Sequence, residues 1–177
     1  MKKLSLKELN RISNQEFKEL PKTPIVVILD NIRSALNVGS VFRTSDAFAV
    51  EKMYLCGITA KPPHREILKT AIGATESVDW EHHKSTVKVI EQLKADDYII
   101  VGIEQADESI MLQNFEVDTN KKYAIVLGNE VKGVSNEVMQ VLDYCIEVPQ
   151  LGTKHSLNVS VCTGVVIWDF FKKYKYS

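Results

Sequence analysis

Polar residues gather at three places in this 177-residue chain, each just beyond a short apolar run. The first stretch, DNIRSALNVGSVFRTSDAF, carries Asn31, Asn37, Gly39, Arg43 and Asp46. The second, LGNEVKGVSNEV, sets Asn129, Glu130 and Lys132 between Gly128 and Gly133, with Ser135 placed to cap a following helix. The third, EVPQLGT running into KHSLNVSVCTGVVIWDF, puts Lys154, His155, Ser156, Asn158 and Ser160 where an apolar helix begins, after a turn shaped by Pro149 and Gly152. Glycine at a strand exit lets a ligand come close to the backbone. A helix starting near Val38 would take Asn37 as its N-cap, open its first turn at Gly39, and carry Arg43 about 1.5 turns further in. Each stretch alone also reads as an ordinary capped helix with a charged surface. Ser156, in particular, is equally a cap for the last helix or a site residue.

Several chemistries are excluded. The second stretch lacks the GxxxxGK[ST] spacing of a phosphate-binding loop, and no GxGxxG follows the first apolar run, which argues against ATP hydrolysis and against a dinucleotide site. His64, His82 and His83 have no partners at metal-ligand spacing, so no metal is expected. Cys56, Cys145 and Cys162 are odd in number and lie in apolar contexts, which fits reduced, buried thiols and a cytoplasmic location. The start, MKKLSLKELNRISNQEF, is charged but has no apolar core, so it is not a secretory signal. No run approaches the roughly 20 apolar residues of a membrane span. A net charge of −1 gives no global attraction to a polyanion and leaves any such contact to a local patch.

The elements that must position these stretches follow from periodicity. Residues 1–20 read as a short amphipathic helical extension, with Leu4, Leu6, Leu9, Ile12, Phe17 and Leu20 as its apolar positions, broken by PKTP at 21–24. IVVILD (25–30) has the continuous β-branched character of a parallel strand buried on both faces. A helix is expected over about 38–48, strand 52–58, helix PPHREILKTAIG, strand 76–80, a Ser85-capped helix 85–95, strand 98–104, strand 123–129, helix 135–143, strand 144–149 and a final helix. Alternation of this kind predicts one α/β domain, with a mainly parallel sheet and helices on both faces. Ligands in such sheets sit beyond the carboxyl ends of the strands, which is where all three polar stretches fall.

In order, NxGxxxR, LGNExxGVS and PxxGxxxSLNVS resemble the three motifs of the SpoU/TrmH family of RNA ribose 2'-O-methyltransferases, within the SPOUT class. The resemblance covers roughly residues 24–173, so 21–177 is expected to be the catalytic domain. It implies an α/β fold whose C-terminal segment is threaded into a deep trefoil knot, a feature that periodicity alone would never reveal. It implies S-adenosylmethionine (AdoMet) as cofactor, held against Gly128, Val148 and Leu157, with Leu127, Leu151, Ile103 and Glu104 as further contacts. It places Asn37, Arg43, Glu130, Ser156 and Asn158 at the catalytic site.

The implied reaction is attack of a ribose 2'-hydroxyl on the sulfonium methyl carbon. Arg43 is expected to grip an adjacent phosphate rather than act as a simple base, because a guanidinium stays protonated. Glu130 is expected to pair with Arg43 or with a second subunit, and Asn37 and Asn158 to hold the loops. His155 is expected to be solvated. Lys61, His64, Arg65, Lys69 and the basic tail Lys172, Lys173 and Lys175 are candidate phosphate contacts.

The expected partners are RNA, with transfer RNA preferred over ribosomal RNA, and a second copy of the chain. The homodimer would form through the knot region, where Val161, Val165, Trp168 and Phe171 read either as interface or as core. Only about 20 residues precede the resembling segment, so RNA selection is expected to rest on the catalytic domain, the short helix and the second subunit. A catalytically inactive RNA-binding module with the same fold is the alternative reading. The five catalytic-type residues argue against it.

Overall fold

The computed structural model describes residues 1–5 and 8–176. Its sheet is built from β1 (Thr23–Asp30), β2 (Val50–Cys56), β3 (Trp80–His83), β4 (Tyr98–Ile103), β5 (Ile110–Met111), β6 (Lys122–Leu127) and β7 (Tyr144–Glu147). The order across the sheet is β3-β2-β1-β6-β4-β7-β5, and every pairing is parallel. The helices are α1 (Asn14–Glu19), α2 (Ala35–Ala47), α3 (Arg65–Ala71), α4 (Ala74–Ser77), α5 (Thr86–Ala95), α6 (Asn136–Met139) and α7 (Val159–Tyr176).

The unbroken apolar run of β1 has the reason the sequence suggested: both faces of the strand are covered. Ile25, Val27 and Leu29 pack with Val38 and Phe42 of α2, Ile67 of α3, and Val166 and Phe170 of α7. Val26 and Ile28 face the other way, toward Val89, Ile90 and Leu93 of α5 and Val138 of α6. The alternation follows from the two-residue period of a strand. With seven parallel strands, all carboxyl ends lie along one edge of the sheet. The loops that leave β1, β6 and β7 therefore come together there.

Several boundaries differ from the sequence expectation. The N-terminal segment is not one helix over 1–20. Among its described residues only α1 is helical, started by a capping box in which Ser13 and Glu16 satisfy each other's backbone N–H. Asn10 in the left-handed region (φ 44°) interrupts the chain before it. Leu4, Leu9, Ile12 and Leu20 are exposed and offer no apolar face to hold a longer helix; of the described members of the set only Phe17 is buried. Leu6 lies outside the described residues.

α2 begins three residues earlier than expected because Ser34, not Asn37, is the N-cap; its hydroxyl accepts from the Asn37 N–H at 3.3 Å. Residues 76–80 are not a strand, since α4 occupies 74–77 and β3 starts at Trp80. α6 is a single turn: Asp143, expected at the end of that helix, instead accepts from the Ile100 N–H and pairs with Lys94. β5, two residues long, is too short to leave a periodic signal.

Candidate active site

At the carboxyl edge of the sheet the second polar stretch forms a tight turn. Asn129 and Gly133 exchange backbone hydrogen bonds at 3.0 and 2.8 Å, and the Asn129 side-chain oxygen accepts from the Val131 and Lys132 N–H groups. Gly128 leaves β6 so close to this turn that a Cβ there would lie 2.1 Å from the Val134 nitrogen and 2.2 Å from the Gly133 carbonyl carbon. Three side-chain hydrogen bonds tie the turn to its surroundings. Asn129 donates to the Asn31 carbonyl at 2.7 Å, Glu104 accepts from the Val134 N–H at 2.9 Å, and Asp30 accepts from the Ser135 N–H at 3.0 Å.

Glu130 projects from this turn toward the first stretch. Its two oxygens accept from the Arg33 N–H (2.8 Å), the Ser34 N–H (3.0 Å) and the Asn37 side-chain amide (3.0 Å). Burial works against the charge, but the hydrogen bonds from Arg33, Asn37, Ser34 and its own backbone outweigh it and hold the carboxyl below the ordinary carboxylate value. The carboxylate thus acts as an anionic staple over the N-terminal end of α2, where the helix dipole also favours negative charge. A lowered pKa means that this stabilisation is fully present above the ordinary value near 4.5 and fades as pH falls toward the folded-state pKa. Wild-type protein should therefore melt higher than Glu130→Gln at neutral pH. The gap should shrink in melts run progressively below pH 4.5, as the staple is protonated.

Asn37 passes the connection on. Its side-chain oxygen accepts from Asn158 Nδ2 at 3.2 Å, while the Asn158 oxygen accepts from the Ser160 N–H (2.9 Å), the Ser160 hydroxyl (2.7 Å) and the Val161 N–H (3.4 Å). Asn158, rather than Ser156, therefore caps α7. Asn158→Ala should cost about 1 kcal/mol, or a drop of about 2–4 °C in a thermal melt. Ser156→Ala should leave the melt where it was. One chain of contacts, Glu130–Asn37–Asn158, thus ties together the three polar stretches, which are far apart in sequence.

Beside this chain lies a cavity of about 700 Å³. Leu127, Val148, Leu157 and Ile103 give it apolar walls, Gly128 its close backbone, and Glu104 a carboxylate, so six of the seven residues expected at a cofactor line it. Leu151, the seventh, does not; it is fully exposed, because the turn after β7 carries it outward. Glu130, Ser156, Asn158 and His155 also line the cavity, with Glu147, Lys132 and Cys162. Burial, with the Glu104 charge adding, pushes the Cys162 thiol up to about 11, so this wall is neutral at physiological pH.

Asn37 and Arg43 are not among the lining residues. Asn37 reaches the cavity through Asn158 and Glu130, and Arg43 stands on the exposed face of α2. Arg43 forms no ion pair among the described residues, so the expected Glu130–Arg43 pair does not form within the chain; the loop N–H groups have taken the carboxylate. Gly39, expected to admit a ligand, instead admits α3: a Cβ there would lie 2.1 Å from the Thr70 hydroxyl and 2.3 Å from the Ile67 carbonyl oxygen. Among the described residues no cluster of three metal-ligating side chains occurs.

The residues that sequence reading passed over are Asp30, Glu147, Asn129's grip on Asn31, and Cys162. Asp30 closes an otherwise apolar strand, and a carboxylate at the last position of a buried run was the signal available.

This seven-stranded parallel fold is that of the SPOUT-class SpoU/TrmH methyltransferases. The chain matches the model of the SpoU rRNA methylase family over residues 24–168, and it belongs to that family. A relative from Staphylococcus aureus strain MSSA476, described as a candidate TrmH family tRNA/rRNA methyltransferase, is 31% identical over 159 residues. That match covers 90% of this chain and 63% of the relative. The chain thus spans less than two thirds of the length of such curated relatives. A crystal structure of the A. aeolicus TrmH/SpoU tRNA modifying enzyme superposes with a TM-score of 0.80 at 29% identity, over 90% of this chain and 80% of that one. An AdoMet-bound rRNA methyltransferase from Sinorhizobium meliloti superposes equally well, with a TM-score of 0.80. At 23% identity over 91% of this chain and 61% of that one, it shows the shared fold.

Proposed function

We propose that this chain is an AdoMet-dependent RNA methyltransferase that transfers a methyl group to a ribose 2'-hydroxyl. The observation that carries the reading is the joining of a cofactor-sized cavity to the Arg43 helix by the Glu130–Asn37–Asn158 contacts. About 700 Å³ falls within the roughly 300–1,000 Å³ of small-molecule sites. Leu127, Val148 and Leu157 suit an adenine ring, and the carboxylates of Glu104 and Glu147 suit hydroxyl and cationic groups, so the residues present fit AdoMet. When bound, AdoMet supplies an electrophilic methyl carbon on a sulfonium.

The chain's own residues divide the remaining work. Glu130 is a poor general base, since both oxygens already accept hydrogen bonds and its carboxyl is held low. Arg43 cannot give up a proton. The reading therefore makes Arg43 a clamp on the phosphate next to the reacting ribose and a stabiliser of negative charge on the attacking oxygen. Asn37, Glu130 and Asn158 set the helix that carries it. Ser156, on the cavity wall and exposed, is positioned to touch substrate or cofactor.

The same proposal extends to the assembly. Val161, Val165 and Trp168 of α7 are 54%, 40% and 47% exposed, while Thr163, Val166, Ile167 and Phe170 face the core, so the outer stripe is free to pack against a second copy. Phe171 is half-buried and sits with Phe48 and Trp168 in an aromatic cluster on that side. The C-terminal knot is part of the reading, supported by β6 lying between β1 and β4 and by β7 lying between β4 and β5, strands that precede them in the chain. Residues 21–177 form the catalytic unit, with 1–20 appended. The substrate is cytoplasmic RNA, transfer RNA before ribosomal.

Calorimetric titration with AdoMet should show one site per chain, and RNA from cells lacking the gene should have lost one 2'-O-methylated nucleoside by mass spectrometry. Absence of AdoMet binding would instead favour an inactive RNA-binding module.

A further inference from the structure

Asp30 is a carboxylate at the end of β1 that is 1% exposed, stands outside the cavity, and takes no part in the chemistry described above. A buried charge of this kind is costly unless its hydrogen bonds are satisfied. Among the described residues no cation pairs with it. Three neutral donors take that place: the Asn31 amide (2.9 Å) and the Thr86 hydroxyl (2.6 Å) on Oδ1, and the Ser135 N–H (3.0 Å) on Oδ2.

Two of these three lead to the turn between Gly128 and Ser135. Ser135 is its last residue and is held directly. The other end is held through Asn31, which is in the left-handed region (φ 57°) and whose carbonyl accepts from Asn129 Nδ2 at 2.7 Å. The residues between those two anchors, Glu130 to Val134, all line the cavity. The third donor, Thr86, belongs to the N-terminal turn of α5 and touches no part of the cavity.

We propose that Asp30 is a positioning residue for cofactor binding, which fixes both ends of the 128–135 turn in the shape that the cavity requires. The inference rests on the reading of this cavity as the AdoMet site. It assigns Asp30 no contact with cofactor or substrate; its effect passes through Ser135 and Asn31.

The test separates this role from a general contribution to stability. Asp30→Asn keeps the size of the side chain but cannot accept at every point where the carboxylate does. It is expected to weaken AdoMet binding about tenfold or more in calorimetric titrations run well below its melting temperature. At saturating AdoMet its kcat should stay within a few-fold of wild type. Thr86→Val disturbs the same carboxylate from the α5 side, so it should lower the melting temperature while leaving the AdoMet Kd unchanged. Should Asp30→Asn fail to fold, Ser135→Pro decides. It removes the N–H, together with a hydroxyl that makes no cap hydrogen bond, at a φ of −64° that a proline ring accepts, and should raise the Kd about tenfold as well. An unchanged Kd in the folded variants, or an equal rise in Thr86→Val, would overturn the proposal. If wild-type protein itself failed to bind AdoMet, the reading of the cavity would fall instead.

Discussion

Arg43→Ala is expected to reduce methyl transfer by roughly 30- to 900-fold while leaving AdoMet binding and the melting temperature close to wild type. The magnitude corresponds to losing about 2–4 kcal/mol of transition-state stabilisation, the usual cost of removing one preorganised donor from a developing anion. The selectivity follows from position. Arg43 is exposed on α2, forms no ion pair among the described residues, and does not line the cavity, so the folded chain without RNA makes little use of it. Arg43→Lys sharpens the prediction, because it keeps the charge and removes the two-pronged geometry. Single-turnover assays at saturating AdoMet should show the lysine variant much closer to alanine than to wild type. A lysine variant with near-full activity would remove the bidentate phosphate contact from the account.

Gly128→Ala should have the opposite signature, with cofactor binding failing first. An added methyl would sit 2.1 Å from the Val134 nitrogen, 2.2 Å from the Gly133 carbonyl carbon and 2.5 Å from its oxygen, all backbone atoms. A side chain can swing away from such a clash; a backbone gripped by Glu104, Asp30 and Asn31 has to move as a loop. Overpacking of this kind typically costs about 1–3 kcal/mol even where side chains can adjust. Here it also disrupts the floor of the cavity. Calorimetry is expected to show AdoMet affinity falling about 100-fold or beyond detection, with a lowered melting temperature. Retention of wild-type affinity would mean that the 128–135 turn is not part of the cofactor site.

The contrast between these two variants reflects which parts of the molecule the sequence made legible. The strand pattern was readable because β1 and β6 are buried on both faces, and burial of that kind leaves unbroken β-branched runs such as IVVIL and AIVL. The parallel sheet followed from alternation with helices. The first twenty residues depart from the expected single helix because Leu4, Leu9 and Ile12 have nothing to pack against; spacing signals a face without saying that a partner exists.

The site was readable as three clusters, and the assignment of roles within them was not. Asn37 resembled a cap but is the link between Glu130 and Asn158. Asn158 resembled a catalytic residue and is also the cap. Glu130 resembled a partner for Arg43, yet the Arg33 and Ser34 N–H groups and the Asn37 amide at the start of α2 hold it. The cap at Asn158 is local, but the links through Asn37 depend on contacts about 90 to 120 positions apart, from Asn37–Glu130 at 93 to Asn37–Asn158 at 121, which no local pattern encodes. Asp30 was hidden for the same reason, its most distant partner lying 105 residues away.

The central claim is that this cavity and this arginine together methylate a ribose oxygen. The most direct measurement incubates the purified protein and methyl-labelled AdoMet with transfer RNA taken from cells lacking the gene, then digests the RNA and identifies the labelled nucleoside by mass spectrometry. The account predicts label on a 2'-O-methylated ribose, at one position, lost in Arg43→Ala. Label found on a base, or undiminished transfer by Arg43→Ala, would contradict it.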